Sequence, residues 1–197
     1  MAMSDATWLV VGLGNPGPSY ATTRHNVGRL VVELLAERAG ASFTSHRRGR
    51  ADVLETRLGG GPHGVRTVLA RPRTYMNESG GSVAALRNFF KVDTDHLVVV
   101  HDELDIPFGT LRVKQGGGDN GHNGVRSVRA ALGTGDFCRV RVGIGRPPGR
   151  LDPAVFVLKP YSATERVELP LLVDRAADAV EALVVDGMAY AQNVYNG

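Results

Sequence analysis

The sequence predicts an α/β fold, in which a single domain over residues 1–197 contains a mixed central β-sheet flanked by helices and a long C-terminal helix. Three observations favour this class. Apolar and alternating segments typical of strands recur between segments with helical periodicity. No internal repeat or break in composition divides the 197 residues. The apolar fraction of 43% and the charged fraction of 22% are ordinary for a globular protein.

The first half of the chain contains three predicted strands and two predicted helices. The strand-like segments are 7–12, 51–58 and 65–71. The last two flank a glycine-rich turn, which predicts a hairpin. Asn26 is the expected N-cap of a helix whose apolar residues recur at helical spacing until Gly40. The same spacing predicts a second helix over 79–90.

The second half adds three strands and a short helix. The strand-like segments are 96–100, 110–115 and 138–145. The first ends directly before His101, Asp102 and Glu103. In the other two, basic residues alternate with apolar ones and are expected on the opposite side from them. These basic residues are Arg112, Lys114, Arg139 and Arg141. Asn123 is expected to cap a helix that ends near Gly133.

The last predicted element is a long helix that reaches about Gly187. Ser162 and Glu165 have the spacing of a capping box, which opens it. Pro170 lies inside the helical pattern, and we expect it to bend the helix or to cause a one-turn break.

Composition and charge limit the class of protein. No apolar run approaches the roughly 20 residues needed to cross a bilayer, and the N-terminus lacks the pattern of a secretory signal. The single cysteine, Cys138, excludes an intramolecular disulfide. These features predict a cytoplasmic protein. Residues 162–197 carry a net charge of −4, and since the total is +3, the first 161 residues carry +7. This basic part could bind a polyanion.

Gly12, Gly14 and Gly17 follow the first strand with the GxGxxG spacing of a dinucleotide-binding loop. In such loops the third glycine lies in the opening turn of a helix, whose free N–H groups receive the pyrophosphate. Pro16 and Pro18 flank Gly17 and remove two of these donors. We therefore expect no dinucleotide cofactor here.

His25 and Asp102 are the strongest candidates for catalysis. His25 lies in the loop between the first strand and the first helix, and Asp102 lies at the carboxyl end of another strand, where α/β proteins place their sites. A carboxylate bound to one imidazole nitrogen fixes the tautomer and leaves the other nitrogen as a base. Taken singly, each also has a structural interpretation, as a surface histidine or a turn-capping aspartate. Together they predict a general base that activates water.

Other nucleophiles and metal ligands are weaker candidates. Cys138 lies in an alternating strand and is expected to be a buried structural thiol. Helix capping explains Ser79 and Ser82, and no serine lies in a GxSxG elbow. The histidines are scattered, and Asp102 with His122 lacks a recognisable ligand spacing, so no metal is expected.

Amide and basic side chains complete the candidate site. Asn15, Asn77 and Asn123 occupy turn or helix-start positions, where their amides could donate to a developing oxyanion or simply stabilise a turn. Basic residues on the outward side of two neighbouring strands could form a phosphate clamp. These are Arg112, Lys114 and Arg141. Few aromatic residues interleave with them, which favours recognition of backbone shape or a terminal phosphate over unstacked bases.

Five segments of the sequence resemble the bacterial peptidyl-tRNA hydrolase family. They are VVGLGNPGPSYATTRHNVG (10–28), RPRTYMNESG (71–80), VVVHDELDIPFGTLRVKQGGG (98–118), GHNGVRSV (121–128) and RVRVGIGRP (139–147). They cover most of the chain in the family's order, and an acidic terminal helix follows. The sequence departs from the family at Asp119 and Asn120, where glycine or another small residue is usual. An acid there could weaken the approach of tRNA or change loop mobility.

The resemblance implies an enzyme that cleaves the ester bond between the C-terminal residue of a peptide and the 3′-terminal ribose of tRNA, without metal or organic cofactor. It implies that His25 is the base and that Asp102 orients it. It implies substrate-binding or oxyanion roles for Asn15, Asn77 and Asn123, and a place for Tyr20 and Met76 in the peptide and terminal-adenosine site. It implies binding of the tRNA phosphate end by Arg112, Lys114 and Arg141. The expected partner is peptidyl-tRNA, bound by a monomer with no protein partner and no membrane contact.

Two other classes remain open at this point. An oxidoreductase would use the glycine-rich loop, but it requires an acidic residue about 20 positions later at the end of a second strand. Glu33 and Glu37 instead fall in a helical pattern. A noncatalytic RNA-binding module would explain the basic part and would leave His25 and Asp102 without a role. Cleavage of a peptidyl-tRNA without added cofactor separates the three classes.

Overall fold

The computed structural model describes residues 6–197, in which a seven-stranded sheet is covered by helices on both faces. The strands are β1 (Trp8–Gly12), β2 (Thr44–His46), β3 (Ala51–Leu58), β4 (Val65–Pro72), β5 (Leu97–Glu103), β6 (Leu111–Gln115) and β7 (Cys138–Gly143). The helices are α1 (Val27–Arg38), α2 (Ser79–Phe90), α3 (Asn123–Leu132), α4 (Pro153–Phe156), α5 (Ala163–Asp186) and α6 (Met188–Tyr195). None of the described helices combines the length and apolar character that crossing a bilayer requires.

The sheet is mixed, with the strand order β2-β3-β4-β1-β5-β7-β6. The four neighbours β4, β1, β5 and β7 are parallel. Antiparallel pairs flank them, because β3 pairs with β4 and β2 on one side and β6 pairs with β7 on the other. The predicted α/β class is therefore confirmed. Because the carboxyl ends of parallel strands meet at one edge, the loop after β1 and the end of β5 lie side by side.

Two apolar layers enclose the sheet. Along β1, Val10 belongs to the layer that contains residues of α1 and α5, whereas Leu9 and Val11 belong to the layer that contains residues of α2 and α3. All seven residues of β5 are buried, as expected for a central parallel strand. This rigid strand carries Asp102 to the carboxyl edge of the sheet.

The first two glycines of the GxGxxG segment serve packing. A Cβ atom on Gly12 would lie 2.2 Å from the carbonyl oxygen of Gly28, and a Cβ on Gly28 would lie 2.1 Å from a carbonyl oxygen of β5. Helix α1 therefore begins in direct backbone contact with β1 and β5. A Cβ on Gly14 would lie 3.0 Å from the side chain of Asn26. The spacing that resembles a dinucleotide motif instead brings α1 and its preceding loop against the sheet.

Several details differ from the sequence-based expectations. Helix α5 continues without a break through Pro170, which is exposed, so solvent can satisfy the carbonyl group that proline leaves without a donor. The N-cap of α3 is His122 rather than Asn123, and Asn26 makes no capping hydrogen bond to α1. The short edge strand β2 and the final helix α6 were not predicted. The β3–β4 hairpin is present as expected.

We expect Gly12→Ala to destabilise the fold by about 1–3 kcal/mol, because the added methyl group would overlap the Gly28 carbonyl. Chemical denaturation followed by circular dichroism measures the change. Gly118→Ala is the matched control, since a Cβ there would meet no atom within 4 Å. A Gly12 variant as stable as this control would contradict the close contact between α1 and the sheet.

Candidate active site

The side chain of Asn26 closes the loop between β1 and α1. Its Oδ1 accepts a hydrogen bond from the backbone N–H of Asn15 at 2.8 Å, and its Nδ2 donates to the carbonyl oxygen of Asn15 at 3.0 Å. Both residues are buried. Asn26 therefore fixes the position of Asn15. It occupies the N-cap position of α1, as expected, but its side chain makes no capping hydrogen bond.

Asn15 connects this loop to the segment that precedes α2. Its Oδ1 accepts a hydrogen bond from the backbone N–H of Met76 at 2.7 Å. Met76 is buried and lies against Gly124 at the start of α3. Because its oxygen is occupied, Asn15 offers its Nδ2 amide, which has no hydrogen-bond partner in the part of the chain that the structure describes. An amide donor of this kind can bind a developing oxyanion.

His25 and Asp102 form a hydrogen-bonded pair. Nδ1 of His25 lies 2.9 and 3.0 Å from the two carboxylate oxygens of Asp102, and both residues are buried. The backbone N–H of His25 donates to the carbonyl oxygen of Val157 at 2.9 Å. The neighbouring Arg24 donates to the carbonyl oxygen of Pro160 at 2.9 Å and to Glu165 at 2.8 Å. The loop is thus fixed at His25, and Nε2 is the imidazole nitrogen that Asp102 leaves unengaged.

A second imidazole, from His122, binds the same carboxylate. Its Nε2 lies 2.7 Å from Oδ1 of Asp102. Its Nδ1 accepts hydrogen bonds from the backbone N–H groups of Gly124 and Val125 at 3.1 and 3.2 Å. Nδ1 is therefore unprotonated, and the proton lies on Nε2, which donates to Asp102. This role was not predicted from the sequence, where His122 was considered only as a metal ligand. A histidine at the position before α3 was the available signal.

The electrostatics of the pair favour an ionised aspartate. Burial would raise the pKa of Asp102, but electrostatic attraction and hydrogen bonds from the two imidazoles, His25 and His122, outweigh it and hold the pKa well below 3.8. Burial also disfavours a charged His25, yet attraction to Asp102 and the hydrogen bond that His25 donates to it raise the pKa of His25 above 6.5. The imidazole is therefore a stronger base than a free histidine.

A third imidazole, from His101, contacts both Asp102 and His122. His101 is fully enclosed, and its Nδ1 donates to the carbonyl oxygen of Asp102 at 2.7 Å. Burial and the proximity of His122 hold its pKa well below 6.5, so His101 is neutral. Its ring lies 4.8 Å from that of His122, measured between ring centres. His101 therefore acts as packing for the residues that bind Asp102.

The side chains of His25, Asp102 and His122 lie close enough to share a metal ion. Their facing atoms are already joined by hydrogen bonds, with Nδ1 of His25 and Nε2 of His122 both directed at the carboxylate. The Nε2 proton of His122 would have to be lost before that nitrogen could bind a metal. The arrangement fits an imidazole–carboxylate–imidazole chain better than a ligand set.

His25, Asp102 and His122 line a cleft with a volume of about 330 Å³. Besides the two histidines and Asp102, three segments form its walls. They are 103–104, 120–123 and 152–157, the last including the start of α4. The cleft therefore contains Asn123, one of the predicted amide residues, at its rim.

Asn120 joins two walls of this cleft. Its Nδ2 donates to Oε1 of Glu103 at 2.7 Å and to Oδ2 of Asp105 at 2.6 Å. Its φ of 50° lies in the left-handed region, which asparagine tolerates. Asp119 accepts a hydrogen bond from Gly121 and forms an ion pair with Arg129 at 3.1 Å. Asp119 and Asn120, which differ from the family pattern, thus fix the loop by hydrogen bonds and an ion pair, and the negative charge of Asp119 is compensated by Arg129.

Of the predicted substrate-binding residues, Asn123 lines the cleft, whereas Tyr20, Met76 and Asn77 are not among its lining residues. Tyr20 contacts Tyr75 with ring centres 6.3 Å apart, and Tyr75 is half exposed. Asn77 is exposed in the turn after Met76. Asn123 is exposed and lines the cleft directly. The aromatic pair was not predicted as a unit, because the two tyrosines are 55 positions apart in the chain.

The three cations of the predicted phosphate clamp lie on the two strands beyond β5. Arg112 on β6 lies opposite Arg141 on β7, and Lys114 is two positions further along β6. Arg112 is exposed and Lys114 is half-buried. Arg141 forms an ion pair with the buried Glu103 at 3.1 Å. The three cations therefore share one face, and the positive charge of Arg141 is partly neutralised.

Arg139 does not have the outward position that the alternating pattern indicated. It is 1% exposed and donates to the carbonyl oxygens of Gly117, Gly118 and Gly135. The glycine-rich loop covers the Arg139 side chain. The alternating pattern therefore predicted the side of the strand on which Arg139 lies, but not that the side chain is buried there. Burial, with repulsion from nearby arginines, lowers the pKa of Arg139 to about 10.

The weaker nucleophile candidates have structural roles. Burial raises the pKa of the Cys138 thiol to about 11, which is the behaviour of an unreactive cysteine. Ser79 and Ser82 are fully buried, and their hydroxyl groups donate to the carbonyl oxygens of Met76 and Gly49.

An α/β sheet with a carboxylate-oriented imidazole in a cleft at its carboxyl edge defines an enzyme of the hydrolase class. A model of the peptidyl-tRNA hydrolase family matches residues 9–197. The peptidyl-tRNA hydrolase of Frankia casuarinae is 64% identical over 192 residues, which cover 98% of this chain and 95% of that protein. That of Streptomyces coelicolor is 59% identical over 194 residues, which cover 98% and 96%. The crystal structure of the Acinetobacter baumannii peptidyl-tRNA hydrolase has a TM-score of 0.85 at 35% identity, covering 98% of this chain and 95% of that one. This chain belongs to the peptidyl-tRNA hydrolase family.

The geometry predicts how the pKa of His25 depends on Asp102. In the wild-type protein we expect His25 to titrate above 6.5. In Asp102→Asn the attraction is lost while burial remains, so its pKa should fall below 6.5. NMR titration of the imidazole ¹H resonances measures both values, and His25→Ala assigns the signal. The same pKa in wild type and Asp102→Asn would contradict electrostatic coupling within the pair.

Proposed function

We propose that this chain hydrolyses the ester bond between a peptide, or an N-blocked amino acid, and the 3′-terminal ribose of tRNA, and so recycles tRNA from peptidyl-tRNA released by ribosomes. It acts in the cytoplasm as a monomer, as one domain over residues 1–197, without cofactor, metal or protein partner. The observation that carries the proposal is the buried His25–Asp102 pair, which lines a cleft together with Asn123. Membership of the family supports this substrate.

In the proposed reaction, neutral His25 removes a proton from water, and the resulting hydroxide attacks the ester carbonyl carbon. Asp102 holds the imidazole with Nδ1 protonated and stabilises the imidazolium that forms. The tetrahedral intermediate then collapses with cleavage of the bond between the carbonyl carbon and the ribose oxygen, and the imidazolium gives its proton to that oxygen, which leaves as the ribose hydroxyl. Because only the neutral imidazole is a base, kcat/KM should fall as the pH falls through the pKa of His25, which lies above 6.5. An ester has a better leaving group than an amide, so one base is sufficient without a covalent nucleophile.

Amide donors provide the proposed oxyanion stabilisation. The Nδ2 group of Asn15 is held by two contacts, one through the Asn26 side chain and one through the Met76 backbone. Such a fixed donor requires no reorganisation when charge develops. Asn123 and Asn77 are the other amides proposed to bind substrate, while Tyr20 and Met76 line the peptide and terminal-adenosine site.

The cations of β6 and β7 are proposed to bind the tRNA phosphate end. Burial and repulsion from Arg141 and Arg139 lower the pKa of Lys114. A cluster of like charges is destabilising on its own and is relieved by an anion, and Arg and Lys side chains are the usual phosphate ligands in proteins. The excess positive charge of this cluster therefore supports a phosphate site.

The proposed function is tested by His25→Ala with N-acetylaminoacyl-tRNA as substrate. We expect kcat to fall by about 10²–10⁴-fold, the usual contribution of a general base. Release of the labelled amino acid, without added metal or cofactor, measures the rate. His63→Ala, which changes an exposed histidine of the β3–β4 connection, should retain full activity. Near-wild-type hydrolysis by His25→Ala would falsify the mechanism.

The phosphate clamp is tested separately by Arg112→Gln and Lys114→Gln. Each should raise KM for the tRNA substrate more than it lowers kcat, and each should reduce the slope of log KM against log salt concentration by about 1. Arg141→Ala should act in the same direction, although it also leaves Glu103 without its cation. The matched control is Arg66→Gln, on the exposed side of β4. An unchanged salt slope in all three variants refutes the clamp.

A further inference from the structure

The turn between β2 and β3 carries three arginines that the proposed mechanism does not use. Arg47, Arg48 and Arg50 are exposed, and we call residues 47–50 the arginine turn. The nearby Arg71 forms ion pairs with Glu33 and Asp52. In contrast, none of the three arginines of the turn forms an ion pair with a carboxylate of a described residue. Three unpaired cations within four positions create a concentrated positive surface.

The arginine turn has a fixed backbone. The N–H of Gly49 donates to Nδ1 of His46 at 3.0 Å, and the hydroxyl of Ser82 in α2 donates to the carbonyl of Gly49. The carbonyl of Arg50 accepts a hydrogen bond from the N–H of Arg73 at 2.8 Å. Gly49 is buried against α2, since a Cβ there would lie only 2.4 Å from the side chain of Leu86. The turn is therefore attached to α2 and to the end of β4.

Arg50 adopts a conformation that is unfavourable for its residue type. Its φ of 45° lies in the left-handed region, where non-glycine residues are uncommon. A glycine would adopt this conformation without strain. The backbone contacts of the turn hold an arginine there, with its side chain at the surface. Such strain in an exposed, charged turn points to a binding role.

The sheet topology places the arginine turn at the same edge as the catalytic pair. Ala51, the first residue of β3, pairs with Pro72, the last residue of β4, and β4 is parallel to β1. The turn therefore lies at the carboxyl edge, beside the segment that continues to Tyr75. At about 4.8 Å between strands, β3 lies roughly 10 Å from β1 and roughly 24 Å from β6. The catalytic pair thus lies between the arginine turn on one side and the clamp on the other.

An aromatic surface adjoins the arginine turn. Phe89 is half exposed, and its ring packs edge-on against His46 with ring centres 4.5 Å apart. Exposed aromatic rings next to arginines are typical of surfaces that bind RNA, because bases can stack where the backbone is neutralised. The clamp on β6 and β7 lacks such a neighbour among the described aromatic contacts.

We propose that the arginine turn is a second RNA-binding surface, which contacts phosphate groups of the tRNA substrate outside its 3′-terminal CCA nucleotides. The inference rests on the proposed function, since it assumes that tRNA is the substrate. A tRNA held by its phosphate end at the clamp extends well beyond the cleft. Cations on the opposite side of the cleft then bind it at a second point and fix its orientation. Phosphate contacts position an RNA without reading its sequence.

The experiment measures binding and hydrolysis with the Arg47→Gln/Arg48→Gln variant, which leaves the strained Arg50 in place. The matched control is Arg166→Gln/Arg175→Gln, two exposed arginines of α5. Fluorescence anisotropy gives the Kd for deacylated tRNA at several salt concentrations. We expect the arginine-turn variant to bind about 3- to 10-fold more weakly, with a salt slope smaller by about 1.4–1.8 for two lost contacts. The control should match wild type.

Hydrolysis of two substrates locates the contact. For N-acetylaminoacyl-tRNA the variant should have a higher KM and an unchanged kcat. For the same ester on a CCA trinucleotide, KM should equal that of wild type. Unchanged tRNA affinity and salt slope would overturn the inference, and so would an equal loss with both substrates, which places the effect in the catalytic cleft. If wild type hydrolyses neither substrate, the proposed function fails, while the tRNA affinities still decide whether the arginine turn binds RNA.

Discussion

The carboxylate of Asp102 is the group on which the site depends. A buried charge is costly unless hydrogen bonds and opposite charge compensate it, and here the compensation comes from two imidazoles at 2.9 and 2.7 Å. His25 comes from the loop after β1, His122 from the start of α3, and Asp102 from β5. The charge can be buried only when these three elements are assembled. The fold and the site are therefore stabilised by the same contacts.

The close approach of α1 to the sheet makes this assembly possible. Gly12 and Gly28 remove the side chains that would separate helix from strand, so the turn of 3₁₀ helix over Arg24–Asn26 lies directly above the carboxyl edge. Asn26 then holds the loop by the backbone of Asn15, and Arg24 holds it from the side of Pro160. The glycines commonly associated with a cofactor motif here determine where a histidine and an asparagine are placed.

Much of the fold could be predicted from sequence, because the period of the apolar residues reports which face of a strand or helix is buried. The pairing of His25 with Asp102 was also predicted, since the carboxyl ends of the parallel strands β1 and β5 lie at the same edge of the sheet. The pairing of His122 with Asp102 and that of the Asn26 side chain with Asn15 were not predicted, because these partners are defined only by tertiary contacts. Arg139 shows the same limit: alternation places a side chain on a face, but the loop that covers that face is distant in the chain. The identities of the substrate-binding residues stay predictions.

The exposed cations that are proposed to bind tRNA lie too far from His25 to affect its pKa strongly. Arg141 lies on the strand next to β5, and its charge is partly neutralised by Glu103. Arg112, which forms no ion pair with the described residues, and the arginine turn lie roughly 10 Å or more from β5 and β1, counted by strand spacing. At physiological salt the Debye length is about 8 Å, so exposed charges at that distance are largely screened from His25. The pKa of the base is then set by burial and by Asp102, the two causes that act within contact distance. The two proposed anion-binding surfaces can therefore change without altering the pKa of His25.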